Sequence, residues 1–409
     1  MITVEEAQEI IFAKMKTIDS SEIEIKDALG RVLSEDVFSE RAIPPWANSA
    51  MDGYAVRSED IKNATKDNPS ELKVIERIQA GVKAKSVLRE GEAIRIMTGA
   101  PMPQGADAIV LQEETEESDS GVVKIYLSVE SGESVRVAGE DVEIGDLVVS
   151  KGTKLTPPAI GMLANIGMDS CSVYNKPRVA ILATGEELVD LKEIPDEGQI
   201  FNSNSYALAA QVEEAGGEAI LLGIAKDNTE DLVKGIKRGM SADILITSGG
   251  VSVGDFDLVK DTLQDLGNEI NFWRVRMKPG KPMAFGMLGG NPFFGLPGNP
   301  VSTMVSFELF VRPSLLKMQG LKNIFRAKVN ATLKGELLKS PERRHYIRAV
   351  TTFNENQWES TPLEVQGSNI LHSMVKSNSL VLFPEYETKL EDAQTVEVIL
   401  LDDPNINNN

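Results

Sequence analysis

Two lysines flank a rigid turn in "RVRMKPGKPMAFG": Lys278 precedes the Pro279-Gly280 pair and Lys281 follows it. Pro-Gly pairs set tight turns, and surface lysines are most often simply solvated. Two cations fixed at the ends of one turn are nevertheless a suitable clamp for phosphate or another oxyanion. Two glycine-rich stretches offer backbone amides for the same purpose. In "ITSGGVSVGDFDLVKDTL", Gly249 and Gly250 close a strand, Ser252 and Gly254 continue a narrow loop, and Asp255 or Asp257 opens the next helix. In "FFGLPGNPVSTMVSFELF", Gly295, Pro297, Gly298 and Asn299 lead to Pro300, which suits a first helical position, with Ser302 nearby. Glycines let amides approach a ligand and a helix start adds partial positive charge, so both stretches are fair oxyanion cradles. Their plain alternative is a tight strand-to-helix turn capped by Asp or Asn. The first lacks the Gly-Lys-Ser/Thr ending of a Walker loop and the spacing of a dinucleotide fingerprint.

Carboxylates accompany these groups. Glu186 and Glu187 follow "VAILATG", and Asp227 follows "AILLGIAK". Both sites emerge at the carboxyl ends of strands, where α/β sheets form their ligand crevice. Converging carboxylates repel unless they hold a cation or share a proton, and a magnesium ion bridging phosphate oxygens fits Glu187, Asp227 and Asp257 beside the lysines. Acidic residues at helix starts are also common for capping alone. A separate aspartate, Asp52, stands in "PPWANSAMDGYAV", which reads neither as a long helix nor as an alternating strand. By default Asp52 belongs to an Asp-Gly turn, and Thr98 is a threonine beside a glycine.

The elements that position these residues change texture along the chain. Thr3 and Glu6 form a capping-box pattern ahead of an apolar stripe at Val4, Ala7, Ile10, Ile11 and Met15, which predicts an amphipathic helix. From about 21 to 175, short β-like runs such as "VVKIYLSV" and "DLVVSKGTKL" alternate with Gly, Pro and acidic clusters. From about 176 to 320, apolar strands alternate with helices, which implies a parallel sheet covered on both faces. From about 326, β texture returns, and the chain ends in "NINNN", a frayed tail.

Composition narrows the function. At 409 residues the chain is long enough for two to four domains, each with its own core. No apolar run reaches the roughly 18 residues of a membrane span and the start is acidic, so the expected location is the cytoplasm. A single cysteine, Cys171, forbids an intramolecular disulfide. With only two histidines, His345 and His372, far from the glycine-rich loops, most zinc sites and Ser/His/Asp or Cys/His catalysis are disfavoured. A net charge of −20 argues against nucleic acid and anionic membranes as partners, since such binding needs clustered cations. An anionic small molecule remains compatible with a few concentrated lysines.

Seven motifs, "SAMDGYAV", "RIMTGAPMPQGADAIV", "GEDVEIGD", "ATGEEL", "TSGGVSVGDFD", "KPGKP" and "GLPGNPVS", resemble in order those of molybdopterin molybdenumtransferases, the MoeA type also present as the E-domain of gephyrin. The resemblance covers nearly the whole chain. It implies a homodimer of elongated subunits with four domains: 21–44 with 138–175 as an extended dimerisation domain, 45–137 as an inserted β domain, 1–20 with 176–325 as the α/β molybdopterin-binding domain, and 326–404 as a C-terminal β-barrel-like domain, followed by the tail 405–409. It further implies a reaction in which adenylylated molybdopterin and molybdate, with Mg2+, give molybdenum cofactor and AMP. The family places its site where one subunit's α/β domain faces the other subunit's inserted β domain, so Asp52 and Thr98 would reach the crevice across the dimer interface.

By that resemblance Asp52 is a catalytic candidate, Glu187, Asp227 and Asp257 lie near metal and phosphates, and Lys278 and Lys281 offset charge. Gly249, Gly250, Ser252, Gly254, Pro297, Gly298, Asn299 and Ser302 contact the pterin substrate, and Arg348 and Ser373 ("RRHYIRAV", "GSNILHSM") are secondary positions. An adenylyltransferase would deliver the substrate and molybdoenzymes would accept the product. Two other functions compete. The adenylyltransferase itself shares the α/β domain but lacks the N-terminal β region, and a gephyrin-like scaffold would use the same surfaces without turnover. The sequence leaves open Glu186 against Glu187, Asp255 against Asp257, and molybdate against tungstate.

Overall fold

Thr3 starts the first helix, Val4–Lys14, as its capping pattern requires: its hydroxyl accepts from the Glu6 amide at 3.1 Å and its own amide donates to the Glu6 carboxylate at 2.7 Å. The structure, a computed structural model, describes residues 1–226, 228–250 and 269–402. Val4, Ala7 and Ile11 are buried against a core drawn mainly from residues 179–318, so the first turns of the chain pack on the α/β unit.

That unit is built on a six-stranded sheet in the order Glu218–Ala225, Arg178–Thr184, Ile244–Ser248, Asn291–Leu296, Pro282–Leu288, Glu269–Arg274. The first four strands are parallel, as the alternation of strands and helices predicts. The last two run antiparallel, a feature the strand-helix texture does not announce. Its cause is local: Gly289 and Gly290, with φ of 59° and 92°, make a two-residue hairpin that returns Pro282–Leu288 directly into Asn291–Leu296. Alternate residues of the central strands enter two different cores. Val179, Ile181, Ile244 and Ile246 pack on one side with Leu208 and Val212 of the helix Ser203–Glu214. Ala180, Leu182 and Leu245 pack on the other with Leu232 and Ile236 of the helix Thr229–Gly239. The two-residue period of a strand thus explains why these runs are apolar throughout.

The helix that Pro300 opens is continuous but not uniform. Pro300–Ser306 passes through a π turn, Phe307–Val311, into Arg312–Met318. Pro313 has no amide to give the carbonyl four residues earlier, that of Leu309, and the helix widens there. The stranded Leu309 carbonyl accepts instead from the Gln8 side chain of the first helix at 3.0 Å.

A second six-stranded sheet, mostly antiparallel, runs Ala108–Leu111, Gly53–Val56, Glu92–Ile96, Ser70–Ile78, Val122–Ile125, Thr115–Glu117. Between it and the α/β unit in sequence, Ser20–Glu24 pairs with Ser170–Tyr174 beside a helix, Pro157–Asn165. The β texture of 21–175 hides this helix, although two prolines at its start are a fitting signal. In the C-terminal region, Arg344–Asn354, Gln357–Pro362, Lys328–Leu333, Thr395–Leu400 and Ser379–Phe383 pair in a ring, a closed five-stranded barrel without free edges. Met277–Lys278 adds to this barrel in parallel with Arg344 and His345, tying the lysine turn to it. Among the described residues, no helix is long and apolar enough to cross a membrane.

Candidate active site

Three of the parallel strands end in one place. Arg178–Thr184 delivers Gly185 and Glu187, Ile244–Ser248 delivers Gly249 and Gly250, and Asn291–Leu296 delivers Pro297, Gly298 and Asn299, all lining a single cleft of about 1350 Å3. The loop holding Lys278 and Lys281 forms another wall. The barrel closes the cleft with Arg343 and the segment from Gln366 to Asn369. The carboxyl ends of the strands therefore carry the crevice, as open α/β sheets require.

Close backbone approach explains the glycines. Gly249 has φ of 94°, and a Cβ there would collide with the Thr184 carbonyl oxygen. Gly280 has φ of 98°, and a Cβ would meet the Ser306 hydroxyl at 2.7 Å. Asn204, at the start of the helix Ser203–Glu214, holds two of the loops together: its Nδ2 donates to the Ser248 hydroxyl at 2.9 Å and to the Gly298 carbonyl at 2.7 Å. The helix after Gly298 is less free than an empty cradle. The Val301 amide donates to the Ser368 carbonyl at 3.1 Å, and Asn299 makes no capping bond but donates from Nδ2 to the Ser368 hydroxyl at 3.1 Å. The expected Asn299 side-chain cap is thus replaced by a bridge to the barrel segment, and Ser302 still lines the cleft.

The charged groups divide clearly. Lys278, Lys281 and Arg343 line the cleft without a hydrogen-bonded or ionic side-chain partner among the described residues. Glu186 and Glu187 are both exposed, but only Glu187 lines the cleft, its carboxylate folding back over Gly185. Asp227, Ser252, Gly254, Asp255 and Asp257 lie outside the described residues. Among the described residues, no three His, Cys, Asp or Glu side chains are grouped to hold a metal.

Arg348 and Ser373 do not reach the cleft. Arg348 is 1% exposed and spends its guanidinium on the Ser373 hydroxyl at 3.1 Å and on the Val365 and Gly367 carbonyls at 3.4 and 3.1 Å. Burial alone lowers its pKa to about 10. Arg348 and Ser373 therefore brace the segment whose Gln366 and Ser368 face the cleft. The cleft is instead lined by Ser368 of the "GSNILHSM" stretch that contains Ser373, by Arg343 of "RRHYIRAV" and by Asn204, none of which the sequence motifs single out. For Ser368 the signal was a small hydroxyl residue directly after a glycine; for Asn204 it was a cluster of polar residues at a helix start.

Asp52 and Thr98 are also absent from the cleft of their own chain. Both are exposed, and the Asp52 carboxylate accepts from the Thr98 amide at 2.7 Å and from the Thr98 hydroxyl at 2.8 Å. These bonds, the amide first, hold the Asp52 carboxyl below its ordinary pKa. Gly53 is not serving a positive-φ turn. It opens the strand Gly53–Val56, where a Cβ would collide with the Val110 carbonyl. Behind it, the Tyr54 hydroxyl donates to Glu117 at 2.7 Å and Arg95 donates to that hydroxyl at 2.9 Å, which stiffens the sheet beneath Asp52.

Comparison with known proteins agrees along the full length. Residues 2–167 match the MoeA N-terminal region (domain I and II), residues 180–317 a probable molybdopterin binding domain, and residues 330–401 the MoeA C-terminal region (domain IV). The chain is 38% identical to a molybdopterin molybdenumtransferase of a Nostoc species, over 98% of this chain and 94% of the relative. It is 34% identical to one of Haemophilus influenzae, over 97% of this chain and 98% of the relative. The crystal structure of a molybdopterin biosynthesis MoeA protein from Pyrococcus horikoshii superposes with a TM-score of 0.86 at 33% identity, covering 98% of this chain and 100% of that one. With identity, coverage and fold in agreement, the chain belongs to the MoeA family of molybdopterin molybdenumtransferases.

Proposed function

We propose that this protein inserts molybdenum into adenylylated molybdopterin, consuming molybdate and releasing AMP with molybdenum cofactor. The observation that carries this reading is the convergence of three glycine-bearing strand ends and the Lys278–Lys281 turn on one cleft. The substrates are all anionic. Bringing two like unit charges to about 4 Å costs on the order of 4 kcal/mol at an effective dielectric near 20, the scale that one well-placed cation offsets. Lys278 and Lys281, unspent on any carboxylate among the described residues, are placed to do so.

Glu187 is the one carboxylate lining the cleft among the described residues, which fits Mg2+, an ion usually held by one or two carboxylates together with substrate phosphates. Glu187 would supply one such carboxylate, with Asp227 and Asp257 as its proposed companions. The bound ion would neutralise phosphate charge. Water attacks the adenylate phosphorus in line, and the anhydride bond to the pterin's terminal phosphate breaks. The two products are AMP, which keeps the water oxygen, and molybdopterin with its phosphate, whose dithiolene then takes up molybdenum from molybdate with loss of oxo oxygen as water. Asp52, kept ionised by Thr98, is a weak base and an acceptor of hydrogen bonds, which suits orienting water, and molybdate only through such a water, rather than taking a proton.

Asp52 reaches this chemistry from a partner copy in a homodimer. Exposed apolar side chains at Leu29, Phe38, Trp46, Val137, Ile144 and Leu147 support such an interface. The cytoplasm is the proposed location, in keeping with a lone, buried cysteine. An adenylyltransferase upstream and molybdoenzyme acceptors downstream are the proposed partners.

The test is incubation with adenylylated molybdopterin, Mg2+ and either molybdate or tungstate, following AMP. The proposal expects oxyanion-dependent AMP release that falls about 100-fold in Lys281→Ala. Retention of the adenylylated pterin without AMP would instead indicate a scaffold, and ATP-dependent adenylylation of free molybdopterin would indicate the preceding enzyme.

A further inference from the structure

Three arginines meet where the barrel abuts the lysine turn, and two of them are neutralised. Arg344 pairs with Glu5 of the first helix, and Arg276 lies 3.6 Å from Glu385. Arg343, half-buried and lining the cleft, has no carboxylate or hydrogen-bonded side-chain partner among the described residues. In a chain with 62 acidic and 42 basic residues, a partly desolvated arginine without a counter-charge is an exception to the composition.

The backbone before it is also exceptional. Glu342 adopts φ of 87°, left-handed territory that a side-chain-bearing residue enters only when its surroundings hold it there. Its amide is pinned to the Glu385 carbonyl at 3.1 Å, so the strained turn is held in place immediately ahead of Arg343. Two residues on, His345 pairs in register with Lys278. Burial first, then the charges of Lys278, Lys339 and Arg343, lower the His345 pKa to about 4, so Lys278 and Arg343, both lining the cleft, lie close enough to bear on one imidazole.

We infer that Arg343 is a further substrate-binding residue: it receives a phosphate-class oxyanion and extends the Lys278/Lys281 pair into a clamp shared by the α/β unit and the barrel. A guanidinium is suited to this role because its planar fork grips two oxygens at once, which an ammonium does not. The inference rests on the proposed function for its choice of ligand, since the adenylylated substrate brings a phosphoanhydride to this cleft.

Inorganic pyrophosphate serves as the probe, titrated calorimetrically into the full-length protein, so that turnover is not needed. Arg343→Gln is expected to weaken pyrophosphate about 10-fold and Arg343→Lys about 3-fold, the loss of a charge-assisted bidentate contact and its partial replacement by a point charge. Unchanged affinity in Arg343→Gln overturns the inference. If that variant fails to fold, Arg343→Lys decides alone, and affinity equal to the parent's again overturns it. AMP release without pyrophosphate binding by the parent protein sinks the clamp and leaves the proposed function standing. Pyrophosphate binding that depends on Arg343, without AMP release, supports the clamp and sinks the function.

Discussion

His345 shows how a single residue records its surroundings. It is half-buried, its ring sits edge-on to Phe383 at 6.3 Å, and Lys278, Lys339 and Arg343 surround it, so it stays neutral down to about pH 4. The sign of the consequence is fixed by linkage. The unfolded chain takes up the proton near pH 6.5 and the folded chain does not, so stability present above pH 6.5 is lost as pH falls toward 4. His345→Gln removes this contribution, and its melting temperature should drop less between pH 7 and pH 4 than that of the parent protein; equal drops would mean the imidazole is not held neutral. The same residue scale shows what sequence reveals. Lys278 and Lys281 were legible because a Pro-Gly turn fixes their spacing, and Glu187 was legible as a pair with Glu186. Arg343 was not, because its value comes from where a barrel lands against a sheet, which no local pattern encodes, and Ser368 carried only the weak signal of a hydroxyl after a glycine.

At the scale of elements, the first helix is joined to the last by a repair. Pro313 removes one helical hydrogen bond, and Gln8 satisfies the Leu309 carbonyl thus exposed. Gln8→Leu should leave a buried carbonyl without a partner and cost about 1–3 kcal/mol in urea unfolding, whereas a cost near zero would mean water replaces the amide. The capping box at Thr3, the parallel strands and the helices between them were readable from period and punctuation. Closure of the barrel and the antiparallel extension of the α/β sheet were not. The first depends on pairing between strands far apart in sequence, such as Arg344–Asn354 with Ser379–Phe383, and the second on a Gly-Gly hairpin whose strands resemble buried parallel ones.

At the scale of the molecule, a chain of net charge −20 gathers three cations in one cleft, none paired with a carboxylate among the described residues, and displays an ionised aspartate elsewhere. Within one chain the cleft and Asp52 do not meet, so the proposed reaction needs two copies, each lending its Met51-Asp52-Gly53 bend to the other. The decisive measurement is AMP release by mixed dimers. Asp52→Asn and Lys281→Ala proteins, each nearly inactive alone, are dissociated together and allowed to re-associate in equal amounts. Half the dimers are then mixed, and each mixed dimer has one site with both wild-type residues, so about a quarter of parental activity should return. Recovery to that level is the result predicted here; a mixture as inactive as its components would contradict a site built from two chains.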